Sequence, residues 1–221
     1  MRRLFPILAL AGISCVSLGG IRTVYTVPGT LIAPYGTGVP AVSTSPLAVS
    51  GGGRDVETFA VYDVLLEEGV FDDRIECIVV KDHTTARYLV EEDEAIPEHI
   101  RRNFPDLPQE VWDDFTAWNQ EAVPLQPAFH IVIPVILISR EEIEEFFSTP
   151  DGGGWEAFYD TYKGAQGIME LSQVGFSTER NRAIVYAGNE EFSLAGAGFL
   201  YLLEKDGADW RMVKSVMVWI S

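Results

Sequence analysis

Apolar residues recur along this chain with two different spacings, and each change of spacing marks where helix gives way to strand. Val56, Phe59, Ala60 and Leu66 spread over a helix-like pattern behind Asp55, an N-cap residue type, so a helix is expected over 55–68. IECIVVK (75–81) is a run rich in β-branched residues and reads as a strand. Leu107-Pro108 opens a second helix through Asn119, because proline suits the first helical turn and Val111, Phe115 and Trp118 share a face. The apolar segment FHIVIPVILIS (129–139) reads as a long strand broken by Pro134. Proline cannot donate to a ladder, which puts this segment at an edge or a bulge. Ser139-Arg140-Glu141-Glu142 then fits the S-x-x-E capping box and starts a short helix carrying Ile143, Phe146 and Phe147.

The last third of the chain has the densest pattern. Trp155, Phe158, Tyr159 and Tyr162 fall at i, i+3, i+4 and i+7, an apolar and aromatic helical face over 155–163. Four strand signals follow, at 168–176, 182–188, 196–204 and 210–220. Their connections are short, with Asp206-Gly207 a hairpin signal and STERN (177–181) a five-residue loop, so consecutive antiparallel pairing is the economical topology. In the last strand simple alternation puts Trp210, Met212, Val216, Val218 and Ile220 on one face and Val213, Met217 and Trp219 on the other. Both faces of that sheet are then covered. The expected fold class is α+β, a helix-covered antiparallel sheet in which a C-terminal helix precedes a four-stranded meander. Its helix-then-meander order is similar in shape to cystatin-like and NTF2-like folds.

Composition changes the picture mainly at the N-terminus. Arg2 and Arg3 precede an apolar run from Leu4 to about Leu18, and no acidic residue occurs before Asp55, which is the pattern of an export signal over 1–20. The run is too short for an ordinary membrane-spanning helix of ~20 residues. Small residues after it suit cleavage near Gly19, whereas GISC, ending at Cys15, has partial similarity to a lipoprotein signal in which that cysteine is the lipid anchor. Both routes stay open. Residues 21–54 are rich in Gly, Pro, Ser, Thr and Val and read as a flexible linker, leaving 55–221 as a single globular domain. With 33 acidic against 16 basic residues the net charge is −17, a field that repels nucleic acid and anionic lipid surfaces. Membrane association is therefore expected only through the anchor. Cys15 and Cys77 are the two cysteines, so no internal disulfide is expected.

Ordered stretches across the domain carry a resemblance. Trp155 to Tyr159, SQVGF (172–176), AIVYAGN (183–189), LAGAGFLYLLEK (194–205) and DWRMVKSVMVWIS (209–221), with VVKDHT, FPDL and LIS upstream, resemble a family of functionally uncharacterised exported bacterial proteins. The resemblance implies an α+β fold outside the cytoplasm and supplies no catalytic residues. Some members of that family have a pair of cysteines near the segment that here reads NEEFSLAGAG; this chain has none there, which removes any redox reading.

Candidate chemistry centres on Asp82-His83-Thr84-Thr85, a polar turn directly after an apolar strand. His83 could serve as a base oriented by Asp82, with Thr84 beside it, although a strand-ending turn needs no chemistry to explain it. A Cys77–His83 dyad is excluded, since six residues of extended chain span ~20 Å. His99 and His130 lack companions at metal-ligand spacing, the acidic runs 91–94 and 141–145 lack calcium-loop spacing, and Gly196 and Gly198 precede a strand where a dinucleotide loop needs a helix. No metal or cofactor is expected. Trp155, Tyr159, Tyr186 and Tyr201, with Tyr162, Phe199, Trp210 and Trp219 beside them in the pattern, could line an apolar pocket between helix and sheet, although most such aromatics serve as core. The expected function is that of an exported envelope or secreted domain that binds a protein or small ligand or serves a structural role. A small hydrolase-like or isomerase-like enzyme using Asp82 and His83 is the alternative.

Overall fold

The computed structural model describes residues 52–69, 74–85, 101–148 and 154–221, and not the side chains of 52–55 or 69. The 1–20 signal with Cys15, most of the 21–54 linker, the acidic run 91–94 and His99 lie outside these residues. The fold is α+β, with one open, mostly antiparallel sheet of seven strands.

The chain enters on helix α1 (Gly52–Gly69), three residues earlier than expected, so Asp55 lies within the helix and does not cap it. Strand β1 (Cys77–Lys81) follows, then helix α2 (Gln109–Trp118) with Pro108 at its N-cap, and strand β2 (Val135–Ile138). Pro134 ends the expected 129–139 strand on its N-terminal side, leaving four residues at the sheet edge. Helix α3 (Arg140–Phe147) carries the full capping box: the Glu142 N–H donates to Ser139 Oγ, and the Ser139 N–H donates to the Glu142 carboxylate. Helix α4 (Gly154–Thr161) leads into β3 (Ala165–Leu171), β4 (Gly175–Phe176), β5 (Arg182–Phe192), β6 (Ala195–Asp206) and β7 (Asp209–Ile220).

The strands lie in the order β2-β1-β3-β5-β6-β7, with β4 pairing β5. β5, β6 and β7 pair antiparallel in succession as expected, and the last hairpin turns on Gly207-Ala208, one residue beyond the expected Asp206-Gly207 pair, with Asp206 still paired to Asp209 and Gly207 at φ 66°. Two departures matter. First, β1 runs parallel to both β2 and β3, so the sheet has a parallel arm in place of a purely antiparallel one. Second, the expected 168–176 strand is split at Ser172–Val174. Asn119, just past α2, holds that break: its Oδ1 accepts from Gln173 N–H at 2.8 Å and its Nδ2 donates to Gln173 O at 3.0 Å. Tyr62 of α1 donates to Ser172 O from the other side at 2.7 Å.

Side-chain alternation sorts the core onto the two faces of the sheet. On one face Phe59, Tyr62, Leu65 and Leu66 of α1 pack over Ile78, Val80, Leu171, Ala183, Val185, Leu203 and Trp210. The opposite face carries two clusters. Val111, Trp112 and Phe115 of α2 cover Ile184, Tyr186, Leu200 and Leu202, while Phe158 of α4 and Ile143 and Phe146 of α3 cover Cys77, Val79, Ile138 and Ile168. Strict alternation in β7 does not survive. Register shifts between Leu202/Leu203 and between Gly198/Phe199 leave Val213 and Val218 without partners, so Met212 joins the α1 side while Val216 joins the α2 side. These bulges, with Lys214 between them, also blunt the outer edge of the sheet.

Candidate functional site

On the second face α3 and α4 pack together, with Phe146 against Phe158 and Phe147 against Trp155, and α2 stands apart from them over other strands. α2 covers β5 and β6, α3 and α4 cover β1 and β2, and a two-lobed groove runs between them. One lobe, of about 900 Å³, is bounded by Lys81 to Thr85, Gln120 and Ala122 after α2, Arg140, Ile143 and Glu144 of α3, and Glu170. The other, of about 570 Å³, is bounded by Phe147, Trp155, Ile168, Glu190, Phe192 and Trp219, with Lys81 and Ile143 again on its wall. Lys81 and Ile143 therefore stand where the lobes join.

A buried polar relay forms the floor at this junction. The parallel register that sets Val80 beside Met169 puts Lys81 beside Glu170, and Lys81 Nζ donates to Glu170 Oε2 at 2.8 Å. The other carboxylate oxygen, Oε1, accepts from the Tyr186 hydroxyl at 2.9 Å, and that hydroxyl accepts from Trp219 Nε1–H at 2.7 Å. Glu170 is 6% exposed and Lys81 32% exposed, so the relay runs from the core to the groove surface. Burying a carboxylate is costly unless it is paired and hydrogen-bonded, and here both oxygens are engaged. Space for the relay comes from two glycines. A Cβ at Gly188 would lie 2.6 Å from the Tyr186 hydroxyl oxygen, and one at Gly198 would lie 2.1 Å from Trp219 Nε1. Gly198 of LAGAGF thus makes room for an indole, not for a phosphate.

The Asp82–Thr85 turn borders the first lobe. Beyond β1 the chain continues as a sewn loop: Asp82 N–H donates to Ile138 O at 2.9 Å, Leu125 N–H to Asp82 O at 2.7 Å, and Thr85 N–H to Leu171 O at 2.8 Å. His83 Nδ1 is 2.7 Å from Asp82 Oδ1, with His83 53% exposed. If Nδ1–H donates to Asp82, Nε2 is left as an acceptor. Thr84 is buried and committed to structure, because its Oγ1 accepts from Val123 N–H at 3.0 Å while its own N–H donates to Val123 O.

The four candidate aromatics do not line one pocket. Trp155 lines the second lobe, while Tyr159 stacks behind it at 5.9 Å and donates its hydroxyl to Glu191 O at 2.8 Å. Burial, with the Glu191 charge adding to it, pushes the Tyr159 phenol above its ordinary value. Tyr186 is fully buried under the floor as part of the relay. Tyr201 lies on the opposite face with the α1 core, near Phe199, and burial raises its pKa too. Cys77 is a buried thiol at the far end of β1 from His83, its Sγ 3.7 Å from Lys163 O. Among the described residues no three His, Cys, Asp or Glu side chains gather as a metal site, and no helix is long and apolar enough to cross a membrane.

Lys81, Glu170 and Glu190 were absent from the sequence candidates, whereas Trp219 was among the aromatics expected to line a pocket and does line the second lobe. One signal was present: Ile168 and Glu170 share a strand face, and a charge on an otherwise apolar face needs a partner. Lys81 and Arg140 of the groove each have a carboxylate beside them, as Lys81–Glu170 and Arg140–Glu144, both at 2.8 Å. Glu190 and Glu141 form no ion pair among the described residues. Compared with protein-family models, curated proteins and solved structures, the chain matches none.

Proposed function

We propose that this is a non-enzymatic binding domain acting outside the cytoplasm, and that it holds a small ligand in the two-lobed groove. The observation that carries the reading is the Trp219–Tyr186–Glu170–Lys81 relay at the junction of the lobes. An apolar pair would fill that space at no desolvation cost, since replacing buried ion pairs by hydrophobic residues is often neutral or stabilising. A buried carboxylate that instead fixes a half-exposed lysine at a groove wall is economical when the lysine has something to hold. Lys81 has three donors and commits one to Glu170. The export component rests on Arg2, Arg3 and the apolar run after them, and mass spectrometry of the mature N-terminus distinguishes lipidation of Cys15 from cleavage near Gly19. The likeness to cystatin-like or NTF2-like folds belongs to the proposal as one of shape alone, and the parallel β1–β2 arm lies outside it.

Ligand-observed NMR with a small-molecule library tests the groove. Ile143→Trp fills the strait between the lobes from a partly exposed position on α3. Compounds that bind the wild type should lose binding to this variant while its circular dichroism is unchanged; equal binding to both contradicts the reading. A second reading, catalysis by His83 as a base, is favoured by its 2.7 Å contact with Asp82 at the groove mouth. It predicts a turnover activity that His83→Gln abolishes without altering ligand affinity.

A further inference from the structure

We propose that the aromatic lobe of this groove is a site for an organic ammonium ion, an assignment that rests on the ligand-groove reading above. The lobe presents Phe147, Trp155, Phe192 and Trp219 around Ile168 and Glu190, which pair across β3 and β5 and so lie side by side on its floor. Glu190 follows Ile184, Tyr186 and Gly188 on the same face of β5, and this alternation turns its carboxylate toward the groove. The rings come from α3, α4 and two separate strands, and Phe192, at 56% exposure, stands at the rim.

Three occupants can be compared on these terms. An anionic ligand would meet cations that already have carboxylate partners, the uncompensated Glu190 charge, and the field of a chain with net charge −17. A neutral apolar ligand would gain contact with the rings but would cover Glu190 and strip water from an unpaired carboxylate. An ammonium ion gains on both counts: ring faces attract a cation within about 6 Å, indole most strongly, and Glu190 supplies the counter-charge. Glu190 is the one acidic side chain that lines the lobe, a donor set too poor for a metal ion, and the charge of Lys81 on its wall is met by Glu170 at 2.8 Å. Alkylated ammonium groups, with diffuse charge and weak hydration, match it best.

Calorimetric titration of the full chain with choline, and with its neutral carbon isostere in which a tert-butyl group replaces the trimethylammonium, provides the test. Choline should bind at least about tenfold more tightly than the isostere. Glu190→Gln should cut that preference several-fold, leaving the smaller part that the ring faces supply, and should not weaken the isostere. Phe192→Ala, at the exposed rim, should weaken choline several-fold with the fold intact. Equal or tighter binding of the isostere, or a preference for choline undiminished in Glu190→Gln, overturns the proposal. If library compounds bind in an Ile143-dependent manner while choline is not preferred, the ammonium assignment falls and the groove reading stands. If neither choline nor any library compound binds, both fall.

Discussion

Gly198→Ala is a one-carbon change whose cost follows from where that carbon must go. The new Cβ would lie 2.1 Å from Trp219 Nε1 and 2.7 Å from Cδ1 and Cε2, all well inside contact distance. The obstacle is the body of a planar indole, not the end of a flexible chain, and its N–H is engaged with the Tyr186 hydroxyl at 2.7 Å. Either β6 and β7 separate locally or the indole swings out and the hydrogen bond breaks. Overpacking costs ~1–3 kcal/mol and a lost hydrogen bond about 1 kcal/mol more, so a destabilisation of about 2–4 kcal/mol is expected. Urea unfolding followed by circular dichroism measures it, and the indole N–H resonance of Trp219 reports whether the ring has moved. A destabilisation below ~0.5 kcal/mol, within the range of ordinary surface substitutions, with an unmoved Trp219 resonance would refute the account of why glycine stands there.

The ion pair beneath the groove makes a second prediction. Lys81→Met leaves Glu170 buried with Tyr186 as its remaining donor and should cost about 2–3 kcal/mol, less than a fully enclosed pair because Lys81 is 32% exposed. Adding Glu170→Met should recover part of that loss, and a double variant no more stable than the single one contradicts the assignment. At the opposite face, burial raises the Glu57 carboxyl, but donation from Lys205 at 2.6 Å and Trp210 at 2.8 Å outweighs it and holds the group below its ordinary 4.5. A depressed carboxyl stabilises the fold above its unfolded value and loses that contribution as pH falls through the folded one. The stability gap between wild type and Glu57→Gln should therefore be constant near neutral pH and shrink below about pH 4.5; a gap unchanged down to about pH 3 would contradict it.

The antiparallel meander was legible because turn chemistry and strand spacing agree there: the Asp206-Gly207 signal lies one residue from the turn itself, and the flanking runs have matched lengths. The capping box on α3 was legible for the same reason, being a local device. The parallel arm was not read, although CIVV and VILI are the near-continuous apolar runs of strands buried on both faces and have a helix between them. β7 misled simple alternation because a bulge is a property of pairing, not of one strand's sequence. The site divides along the same line. Asp82 and His83 are neighbours in the chain and could be seen, whereas Lys81 and Glu170 are 89 residues apart and meet only through the register of β1 on β3.

The five tryptophans provide a direct measurement of where a ligand sits. Trp155 and Trp219 line the aromatic lobe, Trp112 and Trp118 belong to α2, and Trp210 is buried against α1 on the far face of the sheet. In ¹H–¹⁵N spectra of the indole N–H groups, titration with a bound small molecule should shift Trp155 and Trp219 together with one dissociation constant and leave Trp210 unmoved. Shifts centred on Trp210, or saturable binding with Trp155 and Trp219 unchanged, would contradict the groove as the binding site.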